Sequence, residues 1–395
     1  MRGEPKEPSN QMQPYIIIHQ ATASYPVFVG RDLIDRVGSL VHPRGRVFVI
    51  TSEALRDRFG ERVALSFAGA TILTMNEGEA NKTLDTAASI VTELLECGAK
   101  RDAMAVVVGG GMIGDTAGFA ASIFLRGIDL VHVPTTLLAQ VDSSIGGKLA
   151  VNHPKGKNLI GSFFPPRAVL SDTGILDTLP PRERLSGMYE ALKGGVIGDA
   201  SLFEMFEKGA PHPAFGHPLP ASGARGNPTT PRCPSPRLRG EGARRADDGL
   251  DIDEVVRKAI RVKADIVSAD EKEADLRRLL NYGHTIAHGI EAALHYEGLT
   301  HGEAVAWGMI GANAIAVKRC LLPRDEAARI ERVILAYEPS PLPPLDRREI
   351  LAATEHDKKN TGDQRVMVFP RRVGECVVKS DVTAEEIAYG VDAVL

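Results

Sequence analysis

The chain has 395 residues, enough to bury two cores of ordinary domain size. Apolar residues make up 43% and charged residues 25%, the composition of a globular protein rather than a fibrous or disordered one. A net charge of −4 sets up no field that would favour nucleic acid or an anionic membrane as main partner, so neither is expected.

The chain opens on a polar, proline-bearing stretch (1–14) without an apolar h-region, which reads as a flexible tail. No run approaches the roughly 18 uninterrupted apolar residues of a membrane span. Cys97, Cys233, Cys320 and Cys376 are far apart and form no CxxC pair, so neither a disulfide framework nor a thiolate metal cluster is indicated. A cytoplasmic protein is expected.

Tyr15–His19 and Tyr25–Gly30 are strand-like and suited to a hairpin. Arg46–Thr51 and Ala70–Met75 are short β-rich runs, each followed by helix-compatible sequence. Lys82–Cys97 places Leu84, Ala87, Ile90, Val91 and Leu94 at helical spacing, and Ala103–Val108 is uniformly apolar, as in a strand covered on both faces. This alternation predicts an α/β domain with a parallel sheet over 15–180. Beyond Pro180–Pro181, the runs 182–196, 251–267, 273–294 and 301–318 read as helices, predicting a mostly α-helical domain over 181–395. That domain is interrupted by 211–248, which holds eight of the chain's 25 prolines and six arginines but few large apolar side chains. Such a composition buries too little surface to offset its ordering entropy, so a disordered insertion is expected there.

Gly109, Gly111 and Gly114 stand in G-x-G-x-x-G spacing between a strand and a helical run, which suits a pyrophosphate at a helix N-terminus. The acid that would bind a ribose in the ordinary order is missing: Asp129 stands before the next strand, Leu130–Val133, not after it. Residues 126–158 then carry Thr135, Thr136, Asp142 and two Gly-Lys units, at Lys148 and Lys157. Lysines among glycines suit phosphate, because small neighbours leave room for a mobile point charge.

His284 and His288 are four apart on one helical face, and His301 follows 17 residues after His284. Position 285 is Thr, so the zinc-protease pattern is absent. Upstream, Glu190 and Lys193 share a helical face. Two histidines and a carboxylate form a frequent catalytic zinc set, but spacing does not choose which two histidines bind.

Together GGGMIGDTAGFAAS, RGIDLVHVPTTLLAQVDSSIGGK, VNHPKGKNLIGSFFPPRAVL, NYGHTIAH and HGEAVAWGM resemble the signature blocks of the 3-dehydroquinate synthase family, in that family's order. The resemblance runs from about Tyr15 to the C-terminus, apart from the insertion. It implies an NAD-binding α/β domain, a helical metal domain and a homodimer. It implies zinc, with cobalt as a substitute, on Glu190, His284 and His301, leaving His288 to contact substrate. NAD is implied on Glu77, Gly78, Glu79, Lys82, Gly110, Gly111, Met112, Ile113, Gly114, Asp115, Thr135, Thr136, Lys148 and Lys157. Asp142, Lys148, Asn158, Lys193 and His288 are implied in catalysis. Substrate contacts are implied at Arg126, Lys157, Lys263, Arg277, Asn281 and a lysine of the Asp357-Lys358-Lys359 motif, with Arg126 reaching the neighbouring subunit's site.

The reaction so implied belongs to the shikimate pathway of aromatic amino acid biosynthesis. It cyclises 3-deoxy-D-arabino-heptulosonate 7-phosphate to 3-dehydroquinate and phosphate by transient NAD oxidation, β-elimination, reduction and intramolecular aldol closure. A substrate bearing both carboxylate and phosphate requires a ring of Lys and Arg. The rival expectations are a sister sugar-phosphate cyclase with altered anion contacts, a polyol dehydrogenase of the same fold, and an inactive NAD-binding relic.

Overall fold

The computed structural model describes residues 12–210, 249–273, 275–361 and 365–395, the side chains of 355–361 excepted. Most of the expected tail, the whole 211–248 insertion, and the side chains of Lys358 and Lys359 lie outside the described residues.

The N-terminal hairpin forms as expected, β1 (Ile16–His19) pairing antiparallel with β2 (Ser24–Gly30). There follow β3 (Val47–Ser52), β4 (Thr71–Met75), helix α1 (Leu84–Glu96), β5 (Met104–Gly109), helix α2 (Gly111–Ile123) and β6 (Asp129–Pro134). A separate hairpin, β7 (Lys148–His153) with β8 (Gly156–Phe163), precedes β9 (Ala168–Asp172). Seven strands form one sheet in the order β1-β2-β9-β6-β5-β3-β4, parallel everywhere except between β1 and β2. The uniform apolarity of β5 has a simple cause. Ala105 and Val107 enter a core with Ile90 of α1 and Ala117 of α2, while Met104, Val106 and Val108 enter another with Val37, Phe59 and Val63.

The chain leaves β3 outward to β4 and returns to β5 on the other side of β3. This reversal opens a crevice at the carboxyl ends of β3 and β5, where open α/β sheets receive their ligands.

The second half is built on α3 (Pro181–Gly198), α4 (Ala200–Gly209), α5 (Ile252–Ala269), α6 (His284–Ala293), α7 (His301–Lys318), α8 (Arg324–Ala336), α9 (Arg347–Thr361) and α10 (Ala384–Asp392). A short hairpin, β10 (Met367–Arg372) with β11 (Glu375–Lys379), adds strand to this half. Helix α7 is apolar around its circumference because α3, α6, α8 and α10 all pack on it. Ile18, Tyr25, Val27 and Val29 of the first hairpin join the same core.

One helix differs from its expectation. The pattern over 273–294 predicts a continuous helix, but a 3-10 turn, Leu276–Asn281, comes first and α6 starts at His284. Gly283, at φ +81°, interrupts the helical path. Among the described residues no helix is long and apolar enough to cross a membrane, and Cys97, Cys320 and Cys376 are free.

Candidate active site

Three helices converge through close backbone contacts that only glycine permits. A Cβ on Gly302 would lie 2.0 Å from the carbonyl oxygen of Ser186, so the first turn of α7 docks directly on α3. A Cβ on Gly308 would lie 2.1 Å from the carbonyl oxygen of Gly283, so α7 also presses against the start of α6. These two contacts bring Glu190 of α3 beside His284 and His301, the first residues of α6 and α7. One ligand atom from each of the three lies within 4.8 Å of the others.

The carboxylate of Glu190 is buried, and its Oε1 has no hydrogen-bond partner although Nε2 of both histidines stands 3.7 Å away. Lys193 Nζ lies 2.5 Å from the other oxygen, an ion-pair distance without hydrogen-bond alignment. Each imidazole has its far nitrogen engaged: His284 Nδ1 is 3.2 Å from the Tyr282 carbonyl, and His301 Nδ1 is 3.2 Å from Glu291 Oε1. Such outer partners fix ring orientation and aim Nε2 inward. Burial, then Lys193 and the neighbouring rings, hold His284 well below its ordinary pKa, favouring the neutral form that binds metal. For His301 burial works downward, but Glu291 outweighs it and the net shift is upward. An orphaned buried carboxylate oxygen that converges with two pre-aimed imidazoles fits a divalent cation. His288, one turn along α6, keeps its ring centroid 5.5 Å from that of His284 and 6.4 Å from that of His301, outside the converging set.

The nucleotide crevice gathers its expected residues. Gly110, Gly111, Met112 and Ile113 lead the first turn of α2, where a helix leaves its N–H groups unpaired. Gly114 N–H donates to Gly110 O (2.9 Å) and Thr135 N–H to Gly109 O (3.0 Å). Thr136 flanks Gly110 and accepts from Ala139 N–H through its hydroxyl (3.1 Å). Glu77, beyond the end of β4, accepts from Ser52 Oγ at 2.5 Å. Gly78 turns at φ +97° into Glu79. Lys82 is buried and donates to both Asp115 Oδ2 and Asn158 Oδ1 at 2.6 Å. Burial outweighs that contact and pushes Asp115 up to about 6. Asp129 opens β6 at the other end of the sheet, where it pairs with Arg44 at 3.0 Å, so it is no ribose ligand here.

Between crevice and metal group lies a set of cations. Lys263 donates to the Asp142 carbonyl at 2.8 Å and to its carboxylate. Burial raises Asp142, but Lys263 and Lys193 outweigh it and hold the carboxyl well below the usual range. Burial lowers Lys263. Arg277 is fully buried, donating to Glu271 O (2.5 Å) and Gly146 O (3.2 Å). Lys157 lies 3.8 Å from Glu79. Lys148 and Asn281 meet on one carboxylate, Glu273, which the sequence reading passed over: Lys148 forms an ion pair with it and Asn281 donates at 2.8 Å. Its only sequence signal is a position four residues before Arg277, inside an acidic run that resembles solvated surface. Two residues next to expected site positions show how the fold accommodates them: Leu149 takes the space in front of Gly118, and Gly194 leaves only ordinary contact room toward Leu202.

Arg126 is not gathered with the others. It precedes β6 at the amino ends of the strands, in a left-handed turn (Leu125 φ 50°, Arg126 φ 71°, Gly127 φ 110°). There it lines a cavity of about 570 Å³ with Arg44, Arg101 and Arg167.

A switch-point nucleotide crevice facing a two-histidine, one-carboxylate group defines the class of enzymes that use a nucleotide cofactor together with a metal. The sequence profile of the 3-dehydroquinate synthase N-terminal region matches residues 72–186, and that of the C-terminal region matches residues 240–360. The chain belongs to the 3-dehydroquinate synthase family. A 3-dehydroquinate synthase of Koribacter versatilis is 38% identical, over 94% of this chain and 95% of that protein. Among solved structures, 2-deoxy-scyllo-inosose synthase complexed with carbaglucose-6-phosphate, NAD+ and Co2+ is similar with a TM-score of 0.78 and 29% identity, over 96% of this chain and 99% of that one. The 2-epi-5-epi-valiolone synthase of Streptomyces hygroscopicus, bound to NAD+ and Zn2+, has a TM-score of 0.79 and 26% identity, over 94% of this chain and 97% of that one.

Proposed function

We propose that the chain is a 3-dehydroquinate synthase, converting 3-deoxy-D-arabino-heptulosonate 7-phosphate to 3-dehydroquinate and phosphate in the cytoplasm. Glu190, His284 and His301 hold zinc or cobalt, and the β3/β5 crevice holds NAD on Glu77–Glu79, Lys82, Gly110–Asp115, Thr135 and Thr136. The observation that carries this reading is the buried Glu190 Oε1, without a hydrogen bond, with the Nε2 of His284 and of His301 each 3.7 Å away. When bound, the cation would polarise a substrate hydroxyl, and NAD would accept the hydride of the carbon that bears it and later return it.

The chain's own residues bind, orient and neutralise. Lys148, Lys157, Lys193, Lys263 and Arg277 counter the substrate's phosphate and carboxylate, and Asn158 and Asn281 orient its hydroxyls. Asp142 keeps Lys263 in place through its ion pair. His288 Nδ1 or Nε2 takes or returns a proton at the substrate. Glu273 stands where Lys148 and Asn281 would otherwise meet an anion, and gives way to the substrate. Lys358 or Lys359 adds a further cation. Arg126 serves the partner site of a homodimer, a role supported by its place at the end of the sheet away from its own crevice. The division at residue 180, with 211–248 as an insertion, follows the same reading.

The test is phosphate release from the heptulosonate phosphate set against sedoheptulose 7-phosphate. Release from the first, requiring only catalytic NAD and abolished by a chelator, is expected. Release from the second alone assigns the chain to a sister cyclase, and a folded, NAD-binding but inert preparation marks it as a relic.

A further inference from the structure

We propose that Tyr296 is a positioning residue that holds the Lys157 ammonium in place across the mouth of the site, an inference that rests on the reading of Lys157 as a phosphate contact. The Lys157 Nζ lies 4.0 Å from the centroid of the Tyr296 ring. The two residues come from opposite halves: Lys157 from β8 beside the nucleotide crevice, Tyr296 from the connection between α6 and α7, five residues before His301. Their contact therefore ties the phosphate-facing hairpin to the segment that delivers a metal ligand.

The backbone around Tyr296 is unusual in a way that serves this contact. Just after α6, which ends at Ala293, come His295 at φ 51° and Tyr296 at φ 64°, a left-handed stop that normally takes glycine. Bulky residues rarely adopt that conformation and hold it only where the surroundings enforce it. Here Tyr296 N–H donates to Glu291 O at 2.7 Å and His295 N–H to Ala292 O at 3.0 Å. The ring gains little from burial, since Tyr296 is 46% exposed. What the turn achieves is to lay the π face against a cation. Glu79 stands 3.8 Å from the same ammonium, and Glu79 is itself held by Asn152 at 2.8 Å. Lys157 thus meets both an aromatic face and a carboxylate, which restrains a long side chain that would otherwise sample many rotamers.

The experiment compares steady-state kinetics and NAD binding in Tyr296→Phe, Tyr296→Leu, Lys157→Ala and the Tyr296→Leu/Lys157→Ala pair. Phenylalanine keeps the quadrupole and should behave as the parent. Leucine keeps bulk without a π face. It should raise, by about three- to five-fold, whichever constant Lys157→Ala raises (KM of the heptulosonate phosphate or Kd of NAD), with kcat nearly unchanged. In the Lys157→Ala background the same change should add nothing. Parent-like constants in Tyr296→Leu, or an equal penalty in the Lys157→Ala background, would overturn the proposal while leaving the role of Lys157 intact. Unchanged constants in Lys157→Ala would overturn both the proposal and the reading of Lys157 beneath it.

Discussion

Glu291 shows how much of the proposed metal group depends on a residue outside it. Burial would raise its carboxyl, but the His301 contact outweighs this and keeps it ionised. Replacing it by Gln should weaken metal affinity by about 10- to 100-fold, measured by chelator competition, with NAD binding retained. An unchanged affinity would mean that His301 needs no such partner. At this scale the sequence was partly legible. Glu190, His284 and His301 stood out as ligand types, but spacing left the choice of histidines open, and family resemblance supplied it. Glu291 and Glu273 were not legible, because an acid on a helix or in a charged run looks like solvated surface until its partners are known.

Helix packing sets the geometry of Glu190, His284 and His301, so a change without any charge should disturb the metal proposed there. Gly308→Ala drives a methyl into the Gly283 carbonyl. The expected cost is about 2–3 kcal/mol in chemical denaturation, together with lower metal occupancy. Elsewhere α7 and α10 are joined by Arg319, which donates from Nε and Nη2 to the two Glu386 oxygens at 2.6 Å each. That pair lowers Glu386 from its ordinary 4.5 to about 2. Because the folded-state value is the lower one, the stabilisation is present above the ordinary carboxylate pKa and fades as pH falls from about 4.5 toward 2. Arg319→Ala should cost about 1–3 kcal/mol at neutral pH and flatten that acid limb in pH-dependent denaturation. The apolar periodicities of α1, α3, α5 and α7 were legible, as was the buried run of β5. The late start of α6 was not, since one glycine dihedral breaks an otherwise continuous helical pattern. The β7–β8 hairpin was also hidden, because the half-exposed β8, with its glycines, lysine and asparagine, resembles loop.

For the whole molecule, the 211–248 segment separates two ends that already touch. A Cβ on Gly249 would lie 3.3 Å from the Gly209 carbonyl oxygen. Replacing the segment by about five residues removes three doublings of loop length and should stabilise the fold by roughly 2 kcal/mol, leaving turnover unchanged. Lost turnover in the shortened chain would give the segment a role that its composition does not suggest. One divalent cation on Glu190, His284 and His301 should be what makes the enzyme work. The most direct measurement is metal content per chain, followed through chelation and refilling alongside phosphate release from the heptulosonate phosphate. One bound cation is expected, with release falling to background on stripping and returning with zinc or cobalt. A fully stripped protein that still released phosphate at its original rate would show that the cation has no part in turnover.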